Sequence, residues 1–512
     1  MNVFRRAGAL LVPSLSDCLF LALLIWVFAL GSGWISLLAD GDTGWHIRTG
    51  EYILDTRSVP AHDLFSFSKP DAPWFAWEWL ADVIFAALNR AWGLKGVVVF
   101  AAVTLCAAAT LLFRHMLGRG ANVLAALLAT LLATGASTVH YLARPHIFTI
   151  FGLTASLWML ERDVRRPGNA VWWLVPATAV WANLHGGFLA WIACLALTSA
   201  AFCLRAMWPQ ARRYALLTAA CSAATLANPY GYQLHLHILA YLRSDWIRQV
   251  VEEFQSPKFR SENMLHFEIL LFAGLGLLPI LWRQGNLKDV LLLIFWAHAA
   301  LGSARHVPLY AIVVAPICAE QASLLWNGRT ALSSKKSLAG ILRDCVRDFS
   351  AMRPRTSLWL PLVTVLVVLL GRNWPLDFPA SSFPTEAVNR NLAFLIPDQG
   401  AMPRILTTDQ WGDYLIYRLY PRQKVFVDGR SDFYAAELGG PYLRLLNPAY
   451  DWPTILARYE FRLALLPVAW PLAALLKQSG QWQVRYDDGT AILFERTRPT
   501  SSVLNLQSDS AE

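Results

Sequence analysis

The chain has 512 residues, 56% of them hydrophobic and 15% charged, with a formal net charge of +9 and 23 tryptophans. Soluble domains carry roughly 25% charged residues, so this composition excludes an ordinary water-soluble core and points to a bilayer as solvent. Basic cytoplasmic loops account for the positive balance without nucleic acid, and aromatic belts at two membrane interfaces account for the tryptophans.

At the N-terminus Arg5 and Arg6 precede an apolar stretch, 17–38, that has no small-residue cleavage site and reads as a first span rather than a removed signal. Ten further apolar segments follow at 95–113, 121–138, 147–160, 170–184, 188–204, 214–228, 266–282, 289–303, 307–325 and 357–371. With the N-terminus inside, the inner loops hold Arg114 and Arg119; Arg162, Arg165 and Arg166; Arg205, Arg212 and Arg213; Arg283 and Lys288; and a last run from Arg329 to Arg355. The short outer turns hold only Arg144 and Arg305, so about eleven spans, N-in and C-out, satisfy the positive-inside rule.

Two outer loops are long. The first, 40–94, carries a predicted helix at 45–55 and a Trp-rich amphipathic helix at 77–92 that suits the interface plane. The second runs over 228–261. From 372 the pattern changes to strands at 404–408, 424–428 and 461–467, helices at 412–419 and 471–480, and a closing hairpin, 482–486 with 491–495, around Asp488-Gly489. The expected architecture is therefore a polytopic α-helical membrane protein, residues 1–371, with a small extracytoplasmic α/β domain at 372–498 and a polar, disordered tail at 499–512. The seven cysteines form no CxxC pair and avoid the C-terminal region, which argues against a disulfide framework or zinc site. The lack of any Asn-x-Ser/Thr sequon favours a bacterial inner membrane.

The sharpest chemical feature is Asp40-Gly41-Asp42-Thr43-Gly44-Trp45-His46, directly after the first span. Two carboxylates one residue apart, freed by glycines, can converge on an acceptor hydroxyl or a hard cation; the plainer reading is a turn that caps the next helix. A second feature is a set of outer turns, Ala143-Arg144-Pro145-His146, Asn183-Leu184-His185-Gly186-Gly187, Asn228-Pro229-Tyr230-Gly231 and Ala304-Arg305-His306. Ionisable groups near bilayer depth cost roughly 2.5–3.5 kcal/mol each and usually have a task. Arginine pairs with phosphate in two-pronged fashion, and histidine adds a donor or proton shuttle. Glu78 stands between tryptophans and reads equally as the polar face of an interfacial helix; Glu253 could bind a sugar or cation. Trp411-Gly412-Asp413-Tyr414 and Val427-Asp428-Gly429-Arg430 place acids and an arginine near strand ends, where ligands bind, though a structural Asp–Arg pair is the simpler reading. The motifs GxxxxGK[ST], GxSxG, HExxH and GxGxxG are absent.

These motifs resemble the GT-C superfamily, membrane glycosyltransferases that use polyprenyl-phosphate-linked sugars. The resemblance lies in Asp40 and Asp42 after the first span, the two helices that follow, and the run through Gly50, Pro60, Asp63, Phe65-Ser66 and Trp77-Glu78-Trp79-Leu80. Gly412-Asp413-Tyr414-Leu415 and Val427-Asp428-Gly429-Arg430 are similar to uncharacterised bacterial members. The chain lacks the Lys-Pro-Pro segment of aminoarabinose transferases and the Trp-Trp-Asp motif of oligosaccharyltransferases, which leaves the acceptor open.

The resemblance implies an inverting transfer at the outer face, with membrane lipids as surroundings, a polyprenyl-phosphate-linked sugar as donor and no nucleic acid. Asp42 would be the base, with Asp40 orienting it or binding a divalent cation, Mg or Mn, between the two. Arg144 and Arg305, aided by His146 and His306, would hold the leaving phosphate; His46, Glu78, His185 and Glu253 complete the candidate set. A transporter or lipid flippase, and a non-catalytic envelope scaffold, are the competing classes; ionisable groups at the outer ends of spans rather than mid-membrane disfavour transport.

Overall fold

The computed structural model describes residues 13–30, 33–261, 263–331, 333–351, 359–370 and 374–497. Arg5, Arg6, Arg353, Arg355 and the predicted tail at 499–512 lie outside the described residues. The chain forms two compact units: Met1–Leu37, Val98–Arg243 and Arg248–Trp374 in one, Leu38–Val97, Ser244–Ile247 and Pro375–Glu512 in the other. Residues 38–97, predicted as a loop of the membrane module, thus cluster with the C-terminal residues.

The first unit is helical. Among the described residues four helices, Leu94–Arg119, Val123–His140, Met264–Arg283 and Ala304–Thr330, are long and apolar enough to cross a membrane, and Leu15–Phe28 and Phe188–Leu204 are shorter apolar ones. The other predicted spans also coincide with helix: His146–Arg165, Leu174–Ala182, Trp208–Ala224, Leu287–Gly302 and Trp359–Leu370. The His146–Arg165 helix carries Glu161, Arg162, Asp163 and Arg165 in its last turns, which lowers its hydropathy. Predicted span 17–38 is interrupted: an α-helix, Leu15–Ile25, passes into a π-helical turn, Trp26–Leu30, before Gly33–Leu37. Asn122 and Asn286 cap their helices by accepting from the Ala125 and Asp289 amides. Phe272 is 70% and Leu128 60% exposed, a surface that hydrocarbon suits and water does not.

At one end of these helices Arg119 is buried among carboxylates. It donates to Asp289 at 2.6 Å, Glu320 at 2.6 Å and Glu161 at 3.0 Å, while Lys288 is 2.5 Å from Glu161. Four helices are tied together there, and each charge is matched, as buried ions require.

The second unit contains a four-stranded sheet in the order β1 (Ile405–Leu406), β2 (Leu463–Pro467), β4 (Ala491–Arg496), β3 (Trp482–Asp487). β1 runs parallel to β2, and β2–β4 and β4–β3 are antiparallel. The β3–β4 turn is the predicted Asp488-Gly489, with Gly489 at φ +82° and Asp488 accepting from the Thr490 and Ala491 amides. Predicted strand 424–428 is instead a loop with a single bridge, Ser66 to Val425. Helices Ser431–Leu446 and Trp452–Arg458, and Leu338–Ala351 in the first unit, were not foreseen.

Helix Asp42–Thr56 is the pivot of the second unit. A Cβ on Gly50 would stand 1.9 Å from the Asp82 carbonyl, so helix Trp79–Trp92 packs backbone-close there. A Cβ on Gly44 would stand 2.5 Å from the Asp413 carbonyl of helix Asp409–Leu419. The glycines around Asp42 serve close approach rather than freedom: Gly41 itself is in ordinary right-handed helical conformation.

Candidate functional sites

In the second unit, chain packing assembles an acidic centre from distant segments. Asp40 accepts the Asp42 amide at 2.9 Å, and the Gly41 amide donates to Gln410 at 2.7 Å, so the turn before the helix is held on both sides. Asp42 and Asp413 are buried. Asp413 Oδ1 accepts the Gly429 amide at 2.9 Å. Its Oδ2 has no hydrogen-bond partner among the described residues. The point where a Cβ on Gly429 would stand is 1.9 Å from Asp42 Oδ1 and 2.9 Å from Asp413 Oδ2, so only glycine admits both carboxylates. Burial, followed by the charges of Asp42 and Asp428, pushes the Asp413 carboxyl well above its usual range.

Asp428 is committed elsewhere. Arg430 reaches it through Nε at 2.8 Å and Nη2 at 2.6 Å, Nη2 also donates to Asp63 at 2.8 Å, and the Tyr434 hydroxyl donates to Asp428 at 2.7 Å. The Arg430 guanidinium lies 4.6 Å from the Trp74 ring and 5.0 Å from Phe65. The structural reading of the Asp428–Arg430 motif is therefore the one that forms, and it anchors Gly429.

His46 faces the neighbouring helix. Its Nδ1 is 2.6 Å from Asp82, its Nε2 is 3.9 Å from Glu78, and Trp45 stacks on it at 3.6 Å. Burial and the nearby Glu78 raise the Asp82 carboxyl. His46 and Glu78 thus join two helices, and Asp82, a side chain missed in the sequence, completes the set.

In the first unit a second cluster gathers three of the predicted turns. His140 and His146 rings are 4.6 Å apart, and His146 and His185 rings 4.7 Å. Arg305 Nη2 is 3.3 Å from His146 Nε2, and Arg144 donates to Glu253 at 3.3 Å. Arg305 also donates to the Tyr241 hydroxyl at 3.3 Å, and Phe254 covers its guanidinium at 4.8 Å. The Gly187 amide donates to His185 Nδ1 at 3.0 Å, and the Thr149 hydroxyl contacts the same nitrogen at 2.7 Å; Trp181 in turn donates to that hydroxyl at 3.1 Å. These bonds make Nδ1 the acceptor and leave the proton of a neutral imidazole on Nε2. Burial alone would raise the Glu253 carboxyl, but Arg144 and its neighbours hold it down to about 2.

One nitrogen each from His140 and His146 and one oxygen from Glu253 lie within 4.8 Å of one another, the one such three-residue donor group among the described residues. Two imidazoles and a carboxylate suit Mn or Zn better than Mg, which prefers oxygen and water. His306 stands apart, its Nδ1 3.1 Å from the Ala299 carbonyl. The fourth turn closes on itself: Asn228 donates to the Thr225 and Gly231 carbonyls and accepts the Tyr230 amide. His140, buried at the end of its helix, joins the cluster from outside the four outer turns.

No family model matches the chain, and no curated protein does. Solved structures do. The archaeal oligosaccharyltransferase AglB from Archaeoglobus fulgidus, in complex with an inhibitory peptide and a dolichol-phosphate, is similar with a TM-score of 0.60 at 12% identity, over 93% of this chain and 73% of that one. The apo crystal structure of the Archaeoglobus fulgidus oligosaccharyltransferase is similar at 0.53 and 11%, over 88% and 69%. Its form tethered to an acceptor peptide with an NVT sequon is similar at 0.53 and 12%, over 94% and 74%. The chain therefore shares the fold of these archaeal oligosaccharyltransferase structures.

Proposed function

We propose that the protein is a GT-C-type inverting glycosyltransferase that moves a sugar from a polyprenyl-phosphate carrier to an acceptor hydroxyl or amide outside a bacterial inner membrane. The observation that carries this reading is the half-buried Arg144–Arg305 pair against three buried histidines, set at the ends of apolar helices. Two guanidiniums against one carboxylate leave a net positive charge, which fits the phosphate of a lipid carrier. That a solved relative in fold holds a dolichol-phosphate adds support.

In this mechanism Asp42 removes the proton of the acceptor as the acceptor atom bonds to the anomeric carbon. The bond from that carbon to the phosphate oxygen breaks, and its electrons leave with the lipid phosphate. Arg144 and Arg305 stabilise the charge that develops there. Burial, and then the charges of Asp42 and Asp428, raise the Asp413 carboxyl and favour its protonated form beside Asp42. A positioned base is worth about 10²–10⁴-fold. His140, His146 and Glu253 would hold a divalent cation, whose charge would screen the phosphate beside the guanidiniums. His185 and His306 orient their turns, and Asp40 orients the Asp42 amide.

The test is native mass spectrometry of the protein purified in mild detergent, beside Arg144→Ala/Arg305→Ala. A polyprenyl-phosphate, or its sugar conjugate, bound to wild type and lost in the variant is expected. Only bulk phospholipid in both, after polyprenyl-phosphate is added, would remove the reading. With the donor identified, Asp42→Asn should lose transfer while keeping donor binding; unchanged transfer would end the base assignment.

A further inference from the structure

At the helix ends opposite the histidine cluster, a cleft of about 870 Å³ opens between Leu94–Arg119, the start of Val123–Ser137 and the end of His146–Arg165. Four arginines line it, Arg114, Arg162, Arg165 and Arg166, with Trp158 and Asp163. Two of these charges are already used: Arg165 pairs with Glu161 and Glu320, and Asp163 pairs with Arg213 at 2.7 Å. Arg114, Arg162 and Arg166 make no ion pair among the described residues, and Arg162 lies over the Trp158 ring at 4.9 Å. Complementing the carboxyl end of a helix needs about one cation, and Arg119 and Arg165 already fill that place on the two helices. Three further arginines facing one concavity are a surplus.

We propose that this cleft binds the phosphate headgroup of an anionic phospholipid from the leaflet at that end of the helices. Guanidinium forks match phosphate oxygens, and basic pockets between helix ends are suited to lipid headgroups. The walls fit a lipid rather than a free ion, because Leu117, Met159 and Val171 share the cleft with the arginines. Trp173 stands nearby at 73% exposure, the setting of an interfacial tryptophan. The inference uses the membrane placement of these helices and needs no transfer activity.

The test compares lipid retention by native mass spectrometry after delipidation and addition of phosphatidylglycerol or phosphatidylcholine, for wild type and Arg114→Gln/Arg162→Gln/Arg166→Gln. Wild type should retain phosphatidylglycerol at least about tenfold over phosphatidylcholine, and the triple variant should lose that preference. Equal retention of both lipids, or a preference unchanged in the variant, would overturn it. Displacement of phosphatidylglycerol by millimolar inorganic phosphate would overturn the lipid as occupant. Should the variant not fold, a photoreactive phosphatidylglycerol on wild type decides: crosslinks within 114–123 or 158–171 support the site, and crosslinks only elsewhere sink it. Donor binding at Arg144 and Arg305 is read separately, so either result leaves the transferase reading to its own test.

Discussion

Gly429 is the residue on which the acidic centre turns. A methyl there would meet Asp42 Oδ1 at 1.9 Å, the far end of a side chain that can swing aside, so Gly429→Ala moves the carboxylate rather than the backbone. Transfer should fall about 100-fold, the scale of an ångström-level misplacement, while the melting temperature falls modestly. Gly412→Ala is the contrast: its Cβ would meet the Val427 carbonyl at 2.1 Å, backbone that cannot swing, and stability should suffer first. Equal loss of stability in both would remove the distinction. Asp413 makes a pH prediction. Its folded pKa is raised by burial and by Asp42 and Asp428, so its contribution to stability is present below the unfolded value near 3.8 and is lost as pH rises toward the folded value. Asp413→Asn removes that dependence and can keep an oxygen for the Gly429 amide. The melting temperature of the variant should match wild type near pH 4 and exceed it increasingly above; parallel curves would show that the carboxyl titrates normally. Asp42 was legible as a candidate because it follows a span in a short acidic motif. Its pairing with Asp413 was not, because only packing of remote segments against Gly429 brings the two together.

Elements with strong local signals were legible, and those set by tertiary contacts were not. The β3–β4 hairpin announced itself through alternating apolar residues around Asp488-Gly489. Val425 looked like strand by composition, yet among the described residues its one bridge is to Ser66, far away in sequence. Helix Ser431–Leu446 hid behind Gly439, Gly440 and Pro441, and it does carry non-helical backbone at Ala435. The amphipathic pattern of 77–92 is helix Trp79–Trp92, whose Ala81, Asp82, Phe85 and Ala86 are buried, and Gly50 of the preceding helix packs at this face. The pair of helices, with the His46–Asp82 contact between them, is therefore a unit whose separation is testable. Gly50→Leu inserts a side chain where even a Cβ would be 1.9 Å from the Asp82 carbonyl. It should cost about 1–3 kcal/mol or more by overpacking and expose the 57–78 connection to protease. A variant as protease-resistant as wild type would mean the helices tolerate separation.

At the scale of the molecule, the first unit carries two charged clusters at opposite ends of the same helices. His146 and Glu161 share one helix, and Arg305 and Glu320 lie fifteen residues apart along another helical run. A rise of 1.5 Å per residue puts each pair roughly 22 Å apart, most of the ~30 Å hydrocarbon thickness. The Arg119 network and the arginine cleft share one end; the histidines, Arg144, Arg305 and Glu253 share the other. The positive-inside rule assigns the first end to the cytoplasm, since it holds most of the loop arginines. Under the proposed transfer, that assignment says at which end the donor phosphate would lie, and it can be read directly from cysteine labelling in a background without the seven native cysteines. Gly168→Cys sits where a Cβ meets nothing within 4 Å, and Tyr232→Cys replaces a side chain 66% exposed. An impermeant maleimide should label position 232 in intact cells and position 168 only after the membrane is opened. Labelling of both from outside would break the alternation of spans, and the reverse pattern would put the Arg144–Arg305 cluster in the cytoplasm, where a transferase facing outward could not use it.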